Sequence, residues 1–247
     1  MMVSLSCGRD ANGIPYAGKR VLNQFAVEML RDFRPETLEK PQPTDIEALA
    51  EFYFGANVEY RPITLEQKIL GATVFDGGVV TAYDRLEGYI QISVPPKTVL
   101  IEQGIMNNME PGRYRFTLAH EVAGHLGCHS DIKMCMTNAL RIAGESGARV
   151  VMCRPDESNY LMKNKTPEQW MEWQADYMGS AVLMPEPTFI KAFEMLFSHY
   201  GLYVPSLAVS AMRENKNLYF DMVRNLARVF QVSNTAARIR VDDLILS

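Results

Sequence analysis

Three of the chain's four histidines and one glutamate lie in a single apolar run, RFTLAHEVAGHLGCH, at residues 115–129. Imidazole and charged side chains are rarely buried without partners. So many of them in one short run favour a metal site over isolated surface or core histidines. The run therefore predicts a metal-binding helix, and further metal ligands are expected from other parts of the fold.

The spacing of these histidines differs from the zinc-hydrolase pattern HExxH by one residue, because His120 and His125 are five apart. A regular α-helix would hold them roughly 140° apart, too far to share a metal ion. A π-type bulge between Glu121 and His125 would restore a common face, and Gly124 lowers the steric barrier to it. Alternatively, His125 and His129 form an ordinary pair four residues apart without any bulge.

A third ligand is expected from a second helix, because a catalytic zinc takes three protein ligands and a water. Residues 166–185, TPEQWMEWQADYMGSAVLMP, predict that helix, since they begin with a capping box and end at a proline. Glu172 shares a stripe with Ala175 and Gly179, whose small size allows close approach to another helix. The stripe makes Glu172 the predicted third ligand.

Asp176 follows Glu172 by one turn and therefore lies on the same side of the predicted helix. This position suits the acceptor that holds a ligand imidazole in place. Glu168 extends the acidic row by one turn, so a solvated acidic face is the alternative. The histidine run favours the metal-site interpretation of Glu172 and Asp176.

The rest of the chain predicts an α+β protein. A helix is expected at residues 18–33, a second from Thr44 or Asp45 to Gly55, and a strand at 58–61. Residues 69–95 predict a small antiparallel sheet with a turn at Gly77-Gly78. The pattern of 186–247 is helical and includes two helices joined by a tight turn.

Composition excludes several classes of function. The 247 residues are 47% apolar with a net charge of −4, and they contain neither a signal peptide nor a membrane-spanning run, so we expect a cytoplasmic protein. Four arginines against three aspartates leave residues 221–243 a net charge of only +1, which is poor for binding nucleic acid directly. The four cysteines form no CxxC pair and are expected as reduced thiols, with Cys128 and Cys135 near the histidines.

Several segments together resemble the ImmA/IrrE family of bacterial zinc metallopeptidases. They are RFTLAHE (115–121), GH (124–125), His129, EWQADYMGSAVLMP (172–185) and LARVFQVSNTAARIR (226–240). Weaker similarity extends the match to residues 43–247 with gaps. The family has HExGH where this chain has HEVAGH, a six-residue form similar to the HELLGH of dipeptidyl peptidase III.

The resemblance implies a zincin-like (gluzincin) fold with a small antiparallel or mixed sheet, an active-site helix and a glutamate-bearing helix. It implies Zn²⁺ on His120, His125 and Glu172, with Glu121 as the general base. The implied activity is an endopeptidase that cuts a cytoplasmic protein, such as a transcriptional repressor of a phage, mobile element or stress response. An exopeptidase acting on short peptides and a non-catalytic regulator with a structural or lost zinc site are the alternatives.

Two further expectations concern the site and the domains. Tyr177 and His199 are candidates for a donor that stabilises an oxyanion. The chain is expected to divide into an N-terminal helical extension and linker (1–42), a catalytic domain (43–190) and a helical C-terminal region (191–247).

Overall fold

The computed structural model describes residues 2–107, 111–132, 149–153, 165–201 and 205–246. These residues form an α+β structure with nine α-helices, six strands and a helical C-terminal part, which confirms the predicted class. The helices are α1 (Lys19–Phe33), α2 (Ile46–Ala48), α3 (Gln103–Asn107), α4 (Pro111–Ala119), α5 (Pro167–Leu183), α6 (Glu186–His199), α7 (Pro205–Glu214), α8 (Lys216–Phe230) and α9 (Asn234–Leu244). Cys135 and most of segment 130–165 lie outside the described residues.

A four-stranded mixed sheet supports the histidine-bearing helix. Its strands are β1 (Asn57–Arg61), β2 (Gly71–Val74), β5 (Thr98–Glu102) and β6 (Val150–Cys153), in the order β1-β5-β2-β6. β1 runs parallel to β5, while β2 runs antiparallel to both β5 and β6. The strands β3 (Gly78–Asp84) and β4 (Gly88–Val94) form a separate antiparallel hairpin.

The predicted single sheet at 69–95 is therefore wrong in one respect, because β2 does not pair with β3. The chain leaves β2 through Gly77, which has a φ of 64° and lies so close to Pro96 that a Cβ there would meet its nitrogen at 2.7 Å. β2 is buried along its whole length. Ala72 and Val74 face the apolar cluster under the hairpin, and Thr73 faces the histidine-bearing helix.

The predicted helices near the N-terminus are confirmed. α1 packs against α5, and its buried residues include Leu22, Phe25 and Met29. α2 is capped by Asp45, whose side chain accepts a hydrogen bond from the Ala48 amide, and it continues as a π-helical segment, Leu49–Tyr53. A short 3₁₀ helix, Pro35–Leu38, follows α1.

The helix of the histidine run and the capped helix pack directly on each other. α4 continues without a break into a π-helical segment, His120–Leu126, and this segment lies along α5. The capping box at Thr166 and Gln169 is present as predicted. A Cβ on Gly124 would meet the Cα of Ala175 at 2.5 Å, and one on Gly179 would meet the His120 amide nitrogen at 3.1 Å. The predicted stripe of small residues is therefore the contact surface.

The C-terminal helices are attached to this core through a buried arginine. Arg240 on α9 donates from Nε to the Met184 carbonyl at 3.2 Å and from Nη2 to Asn23 Oδ1 on α1 at 2.7 Å. The predicted tight turn lies between α8 and α9, with Gln231 in the left-handed conformation at a φ of 53°. The domain boundary predicted between residues 190 and 191 falls inside α6.

Within the described part of the chain, no helix combines the length and the apolar character needed to cross a membrane.

We predict that Gly124→Ala destabilises the protein by about 1 to 3 kcal/mol, since the added methyl group meets backbone atoms of α5 that cannot move alone. Urea unfolding of the metal-free protein would measure the change. Gly104→Ala is the control, because its Cβ meets only the end of the exposed Gln67 side chain, which can rotate away. An unchanged midpoint for Gly124→Ala would contradict the close packing of the two helices.

Candidate metal centre

The π-helical segment brings the two histidines of HEVAGH onto one face. In a π-helix the backbone hydrogen bonds join residues five apart, so side chains at this spacing lie nearly above one another. The Nε2 atoms of His120 and His125 are 3.1 Å apart, and both side chains are buried. The π-type turn predicted from the histidine spacing is confirmed.

Glu172 completes a three-residue cluster from the neighbouring helix. Its Oε2 lies 3.4 Å from His120 Nε2, and its Oε1 lies 3.6 Å from His125 Nε2. One ligand atom from each of the three residues falls within 4.8 Å of the others. Two imidazole nitrogens and a carboxylate converging in this way could hold a metal ion.

Burial keeps His125 in the neutral form that can bind a cation. Desolvation, followed by repulsion from His120 and His129, holds the pKa of His125 well below its usual value. A neutral imidazole offers a lone pair to a metal, whereas an imidazolium does not. The chemistry of the donor set therefore fits a divalent cation.

Asp176 lies where the sequence placed it. Its Oδ1 is 2.8 Å from Nδ1 of His120, the ring nitrogen that faces away from Glu172. A carboxylate at this nitrogen fixes the ring orientation and the tautomer with Nε2 unprotonated. Asp176 therefore orients the first histidine of the cluster.

His129 lies behind His125 and is not part of the three-residue cluster. Its Nδ1 is 3.1 Å from Nδ1 of His125, and its Nε2 is 3.0 Å from Oε1 of Gln174. Burial, the largest cause, lowers the pKa of His129 to about 4. The ordinary pair of His125 and His129 considered from the sequence is thus not the pair that meets Glu172.

Glu121 is fully buried against the inner strand β2. Its Oε2 accepts a hydrogen bond of 2.6 Å from Thr73 Oγ1, whereas its Oε1 has no hydrogen-bond partner among the described residues. A Cβ on Gly71 would meet Oε1 at 2.5 Å, so only glycine leaves room there for this carboxyl. Gly71 and Thr73 carry no motif that sequence reasoning could have used.

The pKa of Glu121 is raised to about 8, chiefly because burial disfavours the charged carboxylate. The charge of His120 and the Thr73 hydrogen bond oppose this rise, while Glu172 and Asp176 add to it. In the absence of a cation, Glu121 therefore holds its proton at neutral pH.

The two candidate oxyanion donors lie elsewhere. Tyr177 accepts a hydrogen bond from Asn23 and donates one to Asp243, both at 2.9 Å, so its hydroxyl points toward α1 and α9. His199 is exposed at the end of α6 with its ring against Tyr200. Neither contact links these side chains to the cluster.

Cys128 does not enter the cluster either. Its Sγ donates a hydrogen bond to the Ala123 carbonyl at 3.7 Å, and the side chain is completely buried. Burial raises the pKa of this thiol, which keeps it protonated and unreactive.

Comparison with known proteins adds no family to this geometry. No protein-family model matches the chain, and no curated protein matches its sequence. The resemblance to the ImmA/IrrE family therefore stays a prediction.

We predict that Glu121→Gln stabilises the metal-free protein, and does so more at pH 8 than at pH 5. Burial raises the pKa of the Glu121 carboxyl from its ordinary value of 4.5 to about 8. Between these values the unfolded chain releases the proton and the folded one keeps it, so stability falls as pH rises. Glutamine has no proton to release, and its advantage should grow by ~3 kcal/mol between the two pH values.

Urea unfolding at pH 5 and pH 8 would measure this difference, with Glu66→Gln, an exposed glutamate, as the control. Equal effects of Glu121→Gln at both pH values would show that the carboxyl is not held protonated by burial.

Proposed function

We propose that the protein is a zinc-dependent endopeptidase with a zincin-like fold. The observation that carries the proposal is the convergence of His120, His125 and Glu172 within 4.8 Å on two helices packed against each other. Two histidines and a glutamate are the ligand set of one class of catalytic zinc, which leaves the fourth position to water. Structural zinc sites usually have four protein ligands.

Zinc is preferred over harder cations because two of the three donors are imidazole nitrogens. When bound at such a site, zinc makes water nucleophilic near neutral pH and polarises a carbonyl. His120 and His125 would provide nitrogen donors, and Glu172 would provide an oxygen. Asp176 would keep the His120 ring in its ligating orientation.

Glu121 is the proposed general base. It follows the first ligand directly and is electrostatically coupled to His120 and Glu172. Its ionised form would take the proton of the attacking water and pass it to the leaving amine. Thr73 would hold one carboxylate oxygen during this transfer.

The proposed substrate is a protein of the cytoplasm, and a transcriptional repressor is the class that the ImmA/IrrE resemblance implies. Cleavage of a repressor would work as a one-way switch. The support for this substrate class is the sequence resemblance alone.

One observation favours a non-catalytic metal site as the second candidate. Glu121 is completely buried, and its carboxyl is already engaged by Thr73. A base that must meet water and substrate would need access from outside. A structural or regulatory metal site would need no such access.

Metal content tests the ligand set. Wild type should bind about one zinc per chain, and His120→Ala, His125→Ala and Glu172→Ala should each bind close to none, because two ligands hold zinc weakly. His199→Ala, an exposed histidine, is the control and should match wild type. Mass spectrometry of native protein and a chelating dye would count the metal. If the three variants retain as much zinc as wild type, the proposed centre does not exist.

Turnover tests the general base. Zinc-loaded wild type and Glu121→Gln would be incubated with peptides from a digested bacterial proteome, and new termini counted by mass spectrometry. Glutamine cannot accept a proton, so cleavage should fall by about 100-fold or more while zinc content is unchanged. Cuts within peptides indicate an endopeptidase, and cuts confined to their ends an exopeptidase. Zinc binding without any cleavage by wild type would favour the non-catalytic site.

A further inference from the structure

A buried hydrogen-bond chain leads from the metal cluster to the N-terminal part of the protein. It runs from His125 to His129 at 3.1 Å and from His129 to Gln174 Oε1 at 3.0 Å. Gln174 Nε2 then donates to the carbonyls of Pro15 at 2.7 Å and Ala17 at 3.1 Å. The three side chains in this chain have no solvent exposure.

The two backbone carbonyls determine which atom is the donor and which the acceptor in every hydrogen bond of this series. A carbonyl oxygen can only accept, so the Gln174 amide nitrogen must face Pro15 and Ala17, and its oxygen must face His129. His129 therefore carries its proton on Nε2, and as a neutral ring it accepts at Nδ1. His125 must then donate from Nδ1, which leaves its Nε2 lone pair directed at Glu172.

We infer that His129, Gln174 and the carbonyls of Pro15 and Ala17 position His125 as a metal ligand by fixing its tautomer. Asp176 does the same for His120 in a single step, through a carboxylate. His125 is connected to its fixed acceptors, the two backbone carbonyls, through the side chains of His129 and Gln174. This inference rests on the metal site proposed above.

The N-terminal loop, residues 8–17, is held in place on both sides of its hydrogen bonds to Gln174. Arg9 Nη1 donates to the carbonyl of Cys128 at 3.1 Å and to that of Gly13 at 2.9 Å. A Cβ on Gly13 would meet the Asp131 carbonyl oxygen at 2.7 Å, so the loop lies directly on the chain that follows the π-helical segment. Ala17 leads into α1, which packs on α5. The two carbonyls are therefore fixed relative to Gln174.

Gln174→Met is the test variant, because methionine has nearly the same volume but neither donates to the carbonyls nor accepts from His129. Gln24→Met, on the exposed face of α1, is the matched control. Two properties would be measured. The first is the tautomer of each histidine in the metal-free protein, from ¹⁵N chemical shifts. The second is zinc affinity, from competition with a chelator.

In wild type, we expect the proton on Nδ1 of His125 and on Nε2 of His129. Gln174→Met should give a mixture of both His125 tautomers and bind zinc at least ~10-fold more weakly, the range seen when such supporting partners are removed. Gln24→Met should match wild type in both measurements.

The wild-type spectrum tests the inference even if Gln174→Met does not fold, because a proton on Nε2 of metal-free His125 would overturn it. So would a folded Gln174→Met protein with unchanged tautomers or with zinc affinity within threefold of the control. If wild type itself binds no zinc, the proposed metal site fails instead, whatever the tautomers are.

Discussion

The close packing of the π-helical segment on α5 is the constraint on which the rest of the site depends. Gly124 against Ala175, and Gly179 against His120, let two helix backbones approach without intervening side chains. Only at this separation can the short carboxylate arm of Asp176 reach the far ring nitrogen of His120. The same approach places Glu172 between two imidazoles that the wider π turn has aligned. Helix geometry and interhelical distance are therefore set together.

Local signals in the sequence predicted the parts of the site that depend on a single helix. The five-residue spacing of His120 and His125 predicted a π turn, with His125 and His129 as the alternative pair. The one-turn spacing from Glu172 placed Asp176 on the side of the cluster. The Tyr177 hydroxyl lies away from the cluster because the residue after Asp176 points roughly 100° away around the helix, here toward α1 and α9. No local sequence pattern pointed to Gln174 or Gly71. The role of Gln174 depends on the N-terminal loop, and that of Gly71 on the contact of strand β2 with Glu121, and both contacts join residues distant in sequence. The same reason explains why β2 was assigned to the wrong sheet.

The polar groups buried around the cluster are unevenly satisfied. Each of the three buried rings has a hydrogen-bond partner at Nδ1, and His129 has a second one at Nε2, which offsets part of the cost of removing the rings from water. Glu121 differs, because one carboxyl oxygen has no hydrogen-bond partner among the described residues. Burying an unsatisfied polar atom costs about 1 to 3 kcal/mol. This cost falls on Glu121 and not on the hydrogen-bonded Nδ1 atoms of the neighbouring rings.

The protonation state of Glu121 would depend on whether a cation is bound by the three-residue cluster. Without a cation, burial and the nearby carboxylates of Glu172 and Asp176 keep Glu121 protonated. A dication held by His120, His125 and Glu172 would reverse the sign of the local field and favour the ionised carboxylate. Metal binding would then release the proton from Glu121, and the resulting carboxylate would in turn strengthen the attraction for the metal. Under the proposed function, Glu121 would therefore be able to accept a proton only while the cation is bound.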